Sequence, residues 1–184
     1  PAWKSNWQFM YFNECMSGFE WQVAGHFLAE GLVTEGIGLS HAIHERYRAG
    51  RRNPYNEIEC SDHYARAMAS YGAFLAATGY EYNGPEGLIG FASAWGGEQF
   101  RTAFTASQGW GTYEQTVEGG ALRARITVIH GRLSLRTLRI GSQRGLPFDR
   151  ATIHHRGSER KAEVEMADRL VIRLEEEIVL EEND

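Results

Sequence analysis

Residues 121–140, Ala121-Leu122-Arg123-Ala124-Arg125-Ile126-Thr127-Val128-Ile129-His130-Gly131-Arg132-Leu133-Ser134-Leu135-Arg136-Thr137-Leu138-Arg139-Ile140, change the period of the chain. Leu122, Ala124, Ile126 and Val128 alternate with Arg123, Arg125 and Thr127, the two-residue repeat of a strand with one apolar face. His130-Gly131 reads as a turn. Leu133 and Leu135 then share a face, while Leu138 and Ile140 fall out of phase, which predicts a β-bulge near Arg136-Thr137. Downstream, weaker strands are expected at 150–155 and 161–166, a better one at 169–174, and a short last one at Ile178-Val179-Leu180. From 121 onward the expectation is an antiparallel sheet of three to five strands.

Upstream of that point the period is longer. Over 20–48, Trp21, Ala24, Phe27, Leu28, Gly31 and Leu32 recur at threes and fours, as on one side of a helix. Gly31, Gly36 and Gly38 sit where alanine would be better by ~1 kcal/mol each. They predict either a break near 31–36 or very close helix packing. Arg46, Arg48 and Gly50 suit the helix end. A loop, residues 51–60, leads to a second helix at about 60–78. Its predicted apolar face is Tyr64, Ala67, Met68, Tyr71 and Leu75, and Ala65, Ala67, Ala69 and Ala73 keep it slim. Gly79 stops it. The two helices read as an αα-hairpin. Residues 1–19 are aromatic without a period. Residues 80–120 hold nine glycines and read as a long ordered loop, with Trp110 set between Gly109 and Gly111.

Of 184 residues, 42% are apolar and 23% charged, the balance of a globular chain. The net charge of −5 provides no overall field to draw nucleic acid. The charge is uneven. Residues 121–150 hold seven arginines against Asp149 alone, and residues 151–184 hold ten acids against five bases. Neutralisation between strands of one sheet is the simplest account; an RNA-binding patch lacks the aromatic spacing that would accompany it. Cys15 and Cys60 form no metal or redox spacing and read as buried thiols in a reducing compartment, although the count alone leaves a disulfide open. No stretch reaches the ~20 apolar residues of a membrane span. The start, Pro1-Ala2-Trp3-Lys4, is neither a signal peptide nor an initiator methionine, and suggests a beginning inside a longer protein.

The densest polar cluster is Asn56, Glu57, Glu59, Asp62, His63 and Arg66. Glu59 and Asp62 fit helix capping as well as chemistry. Glu57, in the loop, and Arg66, on the helix, would offer an acceptor and a donor to neighbouring sugar hydroxyls. Nothing makes Glu57 and Glu59 flank one glycosidic bond. His63 lacks a third metal ligand at suitable spacing, and His41, His44, His154 and His155 read as ordinary surface or core histidines. His26, on the first helix, is open to two readings: satisfied inside the core, or reaching a sugar. No phosphate-binding, dinucleotide-binding, zinc-protease or serine-hydrolase motif occurs.

Three runs resemble one family. Gly18-Phe19-Glu20-Trp21-Gln22-Val23-Ala24-Gly25-His26, then Glu30-Gly31-Leu32, then Asn53-Pro54-Tyr55-Asn56-Glu57-Ile58-Glu59-Cys60-Ser61-Asp62-His63-Tyr64-Ala65-Arg66-Ala67-Met68-Ala69-Ser70 are similar to the C-terminal part of glycoside hydrolase family 116, the non-lysosomal glucosylceramidase or bile acid beta-glucosidase family. Glu81-Tyr82-Asn83-Gly84-Pro85, Gly109-Trp110-Gly111-Thr112-Tyr113 and Gly131-Arg132-Leu133-Ser134-Leu135 look like further signatures. The resemblance covers most of residues 9–140. It implies a retaining beta-glucosidase whose body is a β-sandwich followed by an (α/α)6 barrel. It implies Glu57 and Arg66 as substrate-binding residues, with His26 a further candidate. No segment here resembles the parts that carry the nucleophile and the acid/base, so the chain alone is expected to be inactive, without metal or cofactor.

The expected fold is therefore mixed α and β. About two long helices of an (α/α)6 barrel, with site-lining loops, occupy 1–120, and an antiparallel β segment occupies 121–184. Expected partners are a beta-glucoside or glucosyl lipid, and the remainder of the barrel in cis, on a separate chain or through self-association. Such a hairpin beside a small sheet would otherwise leave a large apolar patch in water. No nucleic-acid partner and a cytoplasmic location are expected. The alternative is a non-catalytic carbohydrate-binding or assembly module.

Overall fold

A computed structural model describes residues 15–48, 50–51, 67–95, 99–141 and 150–184. The chain forms two compact units, Pro1–Ala77 and Thr78–Asp184. The described part of the first is helical: α1 (Ser17–Ala29), α2 (Val33–Tyr47) and α3 (Ala67–Thr78). The second is built from strands.

The expected long helix over 20–48 is two helices. Gly31 adopts φ +77°, which L side chains rarely take. Its N–H bonds the Leu28 carbonyl, and the Leu32 N–H bonds the Phe27 carbonyl. This is the paired ending that reverses a helix at a left-handed glycine. Close packing, the other expectation, occurs at Gly36. A Cβ there would lie 2.7 Å from Leu28 Cγ, so α2 approaches α1 at that point. Ala24, Leu28, Ile43 and Tyr47 are buried, and an ion pair from Glu20 to Arg46 joins the start of α1 to the end of α2. On α3 Ala73, Ala77 and Thr78 are buried, while Met68 and Tyr71 of the predicted apolar face are exposed. Gly25 of α1 lies against the Ala73 backbone, 3.4 Å from where a Cβ would stand, so the two helices meet through small residues.

The strand unit overturns the expected fold class. The chain is not a helical-barrel fragment followed by a Gly-rich loop and an antiparallel sheet. Within 80–120 the structure places β1 (Glu81–Asn83), β2 (Leu88–Phe91), β3 (Gln99–Ala106) and β4 (Gly109–Glu118). Their alternation is hidden in the sequence because the buried side is not uniformly apolar: Thr102 sits between Phe100 and Phe104, and Gln115 follows Gly111 and Tyr113.

Residues 121–140 form one strand, β5 (Ala121–Ile140), and not two strands joined by a turn at His130-Gly131. Gly131 has φ +77° and bends the strand without reversing it. The ladder with β4 skips Ile129, a bulge that turns the strand at the same place. Before the bend β5 pairs with β4, and beyond it with β9 (Leu170–Glu181). Residues 137–140 also pair in parallel with β2, so the seven-stranded sheet is mixed. The expected bulge is present: the register with β9 steps from Leu135 to Thr137. The Arg136 N–H turns to the Gly87 carbonyl instead.

Downstream, β6 (Ile153–His155) and β7 (Ser158–Arg160) form a hairpin, and β8 (Ala162–Met166) pairs with β9. The expected short strand at 178–180 is the continuation of β9. Ile89, Phe91, Phe100, Phe104, Tyr113, Val128, Leu133, Leu135, Ile178 and Leu180 make one core. At its centre the Phe91 and Tyr113 rings stack 4.0 Å apart, and Phe104 meets Phe91 edge-on. Among the described residues no helix is long and apolar enough to cross a membrane.

Candidate functional site

Glu57 and Arg66 lie outside the described residues, as do Asn56, Glu59, Asp62, His63 and Cys60. In sequence, Arg66 immediately precedes the first described residue of α3. His26 stands on α1 and is exposed. His41 and His44 are exposed on α2. Cys15 is a free, half-buried thiol. Among the described residues no group of three or more His, Cys, Asp or Glu side chains could hold a metal.

Among the described residues of the strand unit, three polar groupings stand out. The first lies across β1, β5 and the β8–β9 turn. Arg139 reaches Glu81 at 2.6 Å and Asp168 at 3.2 Å, and Arg169 donates to the Gly79 carbonyl at 3.2 Å. Arg139 leaves the core side at an inner strand, so the guanidinium can join the edge strand β1 to the far turn. These contacts tie chain segments far apart in sequence.

The second gathers at the β6–β7 turn. Arg156 has φ 51° and precedes Gly157 at φ 75°, a two-residue turn whose left-handed geometry matches strand twist. That turn aims the Arg156 guanidinium at Asp184, 2.9 Å away, and at Glu181, 2.7 Å away. Hydrogen bonds from Arg156, and one from the Glu181 N–H, hold the Asp184 carboxyl well below the usual carboxylate range. His155 is buried, with Nε2 3.4 Å from Asp184 and Nδ1 without a partner. An imidazole beside a carboxylate is half of a general-base arrangement, but its free nitrogen is buried and, among the described residues, no nucleophile joins it. Here it orders the turn.

The third is inside the core. The Tyr113 hydroxyl donates to Gln115 Oε1 at 2.7 Å, and burial raises the phenol's pKa. Apart from His155 Nδ1, the polar groups named in these three places have partners that account for their burial or position.

What the sequence reading underused is Trp110. The Gly-Trp-Gly run marked a large ring in a permissive backbone, and the structure puts that ring on the outer side of β4, 46% exposed. The register of β3, β4 and β5 would have been needed to see what stands beside it. No model of a known protein family matches this chain, and no characterised protein matches it either.

Proposed function

We propose that this chain is the C-terminal portion of a retaining beta-glucosidase or glucosylceramidase-like glycoside hydrolase, in which Glu57 and Arg66 hold the sugar of a beta-glucoside or glucosyl lipid. The observation that carries the proposal is the run from Asn53 to Ser70, which joins a loop carboxylate to an arginine nine residues on. Glu57 accepts hydrogen bonds from sugar hydroxyls and Arg66 donates them; both contacts orient the ring for attack at its anomeric carbon. The nucleophile and acid/base come from the rest of the enzyme, in cis or on a separate chain. A reducing, cytoplasmic setting belongs to the same proposal, with which the free thiol of Cys15 is compatible.

The test is Arg66→Ala in the complete enzyme, with kcat/KM measured on an aryl beta-glucoside. Loss of about 1–3 kcal/mol of transition-state stabilisation is expected, roughly 5- to 150-fold in rate. An unchanged kcat/KM overturns the assignment, and efficient hydrolysis by this chain alone overturns the external origin of the catalytic carboxylates. A second reading, a non-catalytic carbohydrate-binding or assembly module, is favoured by one observation: residues 78–184 form a compact unit with a core of their own.

A further inference from the structure

Opposed residues of an antiparallel ladder share a face. On the outer face of β3, β4 and β5, Trp110 lies opposite His130, Thr112 opposite Thr127, Glu114 opposite Arg125 and Thr116 opposite Arg123. The face thus runs from an exposed indole, over a low step of threonines, to a row of arginines. Four residues separate Trp110 from the Glu114 row, about 13 Å along the strand.

The arginines at the far end are unpaired among the described residues. Arg123 and Arg125 are exposed, and neither has a hydrogen bond or ion pair among the described residues. The acid directly opposite Arg125 is already held, since Glu114 pairs with Arg101 at 2.9 Å. The arginines beyond the bend behave differently: Arg136 pairs with Glu177 and Arg139 with Asp168. Two cations without partners among the described residues, on a chain of net charge −5, make a local field for an anion, not a general one. At the other end His130 Nδ1 lies 2.9 Å from Glu182, so the ring is bordered by a polar pair.

We propose that this face binds an acidic polysaccharide of uronic acid units. One pyranose stacks on Trp110, and a carboxylate farther along the same glycan meets Arg123 and Arg125. The flat indole suits the apolar side of a sugar ring. Guanidinium forks suit carboxylates, which they bind through two parallel hydrogen bonds. The separation of ring and cations calls for an oligosaccharide, since a monosaccharide cannot reach both. Single-stranded nucleic acid fits less well, because it is held by successive stacking rings and this face has one. The proposal is independent of Glu57 and Arg66.

The experiment is affinity electrophoresis of the full chain through gels containing polygalacturonate, with hydroxyethylcellulose and an oligo-dT strand as comparison ligands. Polygalacturonate is expected to retard the chain, and the other two are not. Trp110→Ala should weaken the retardation about tenfold or more, whereas Trp110→Phe, which keeps a ring, should retain most of it. The double variant Arg123→Gln/Arg125→Gln should weaken it comparably and flatten its salt dependence. These arginines are solvent-facing, so the double variant reads the proposal even if Trp110→Ala disturbs folding. Absence of retardation by polygalacturonate overturns the proposal. So does retardation that survives Trp110→Ala or the double arginine change, and so does stronger binding of oligo-dT.

Discussion

At the scale of single residues, the strand unit is governed by what can stand inside it. Tyr113 is fully buried, stacked on Phe91, with its hydroxyl given to Gln115. Removing that donor by Tyr113→Phe leaves a buried acceptor short of a partner and should cost about 1–2 kcal/mol at neutral pH. The same burial sets a pH dependence. The phenol's pKa is raised in the folded state, so the folded chain keeps a proton that the unfolded chain releases above about pH 10. This contribution to stability is fully present below that pH and is lost as pH rises through and beyond it, with a slope approaching about 1.4 kcal/mol per pH unit. Urea titrations between about pH 9 and pH 11 should therefore show a steeper loss in the parent than in Tyr113→Phe. Equal slopes would place the alkaline transition elsewhere.

At the scale of elements, two glycines of α2 make opposite predictions. Gly36 and Gly38 both lower helix propensity by about 1 kcal/mol relative to alanine. A Cβ on Gly38 would meet nothing within 4 Å, whereas one on Gly36 would come within 2.7 Å of Leu28 Cγ and 3.1 Å of the Ala24 carbonyl. Leu28 is buried, so any shift it makes must displace its packed neighbours. Gly38→Ala should thus stabilise the helical unit by up to about 1 kcal/mol. Gly36→Ala should destabilise it by about 1–3 kcal/mol despite the same gain in propensity. Thermal denaturation followed by helical circular dichroism distinguishes them, and a gain for both would show that α1 and α2 separate at little cost. The strand elements carry the parallel lesson. A bulge at Arg136 and a left-handed Gly131 let one 20-residue strand serve two partners in succession.

At the scale of the whole molecule, the helical unit keeps apolar side chains in water. Met68 is 89% exposed and Phe19 63%, and Val23, Leu32 and Ile37 are open as well. Exposed apolar area of this kind forgoes about 25 cal/mol per Å², and contiguous patches of several hundred Å² mark association surfaces. The isolated chain should therefore associate, or bind a hydrophobic dye, in size-exclusion chromatography with light scattering. Replacing Met68 by Lys should reduce both. A dye-silent monomer would remove the need for any covering partner.

Local periodicity made several features of this protein legible in advance. The helical period over 20–48, the glycines that call for a break or close packing there, the two-residue period from 121 and the bulge beside Arg136 each follow from neighbours a few residues apart. Glu57 and Arg66 stand out by residue type and spacing, and both lie outside the described residues. Tertiary structure alone decided the rest. Residues 80–120 became four strands because Thr102, Gly111 and Gln115 could be buried opposite aromatic rings, and their own sequence carries no clean alternation to announce it. His130-Gly131 continued a strand instead of reversing it because β4 and β9 take up its two halves. β2 joined β5 in parallel across some fifty intervening residues. The Trp110 face exists only through the register of three strands. Alternation and helical period report which side of an element is apolar; they do not report which distant segment will cover that side, and pairing at a distance settled both the fold and the candidate surface.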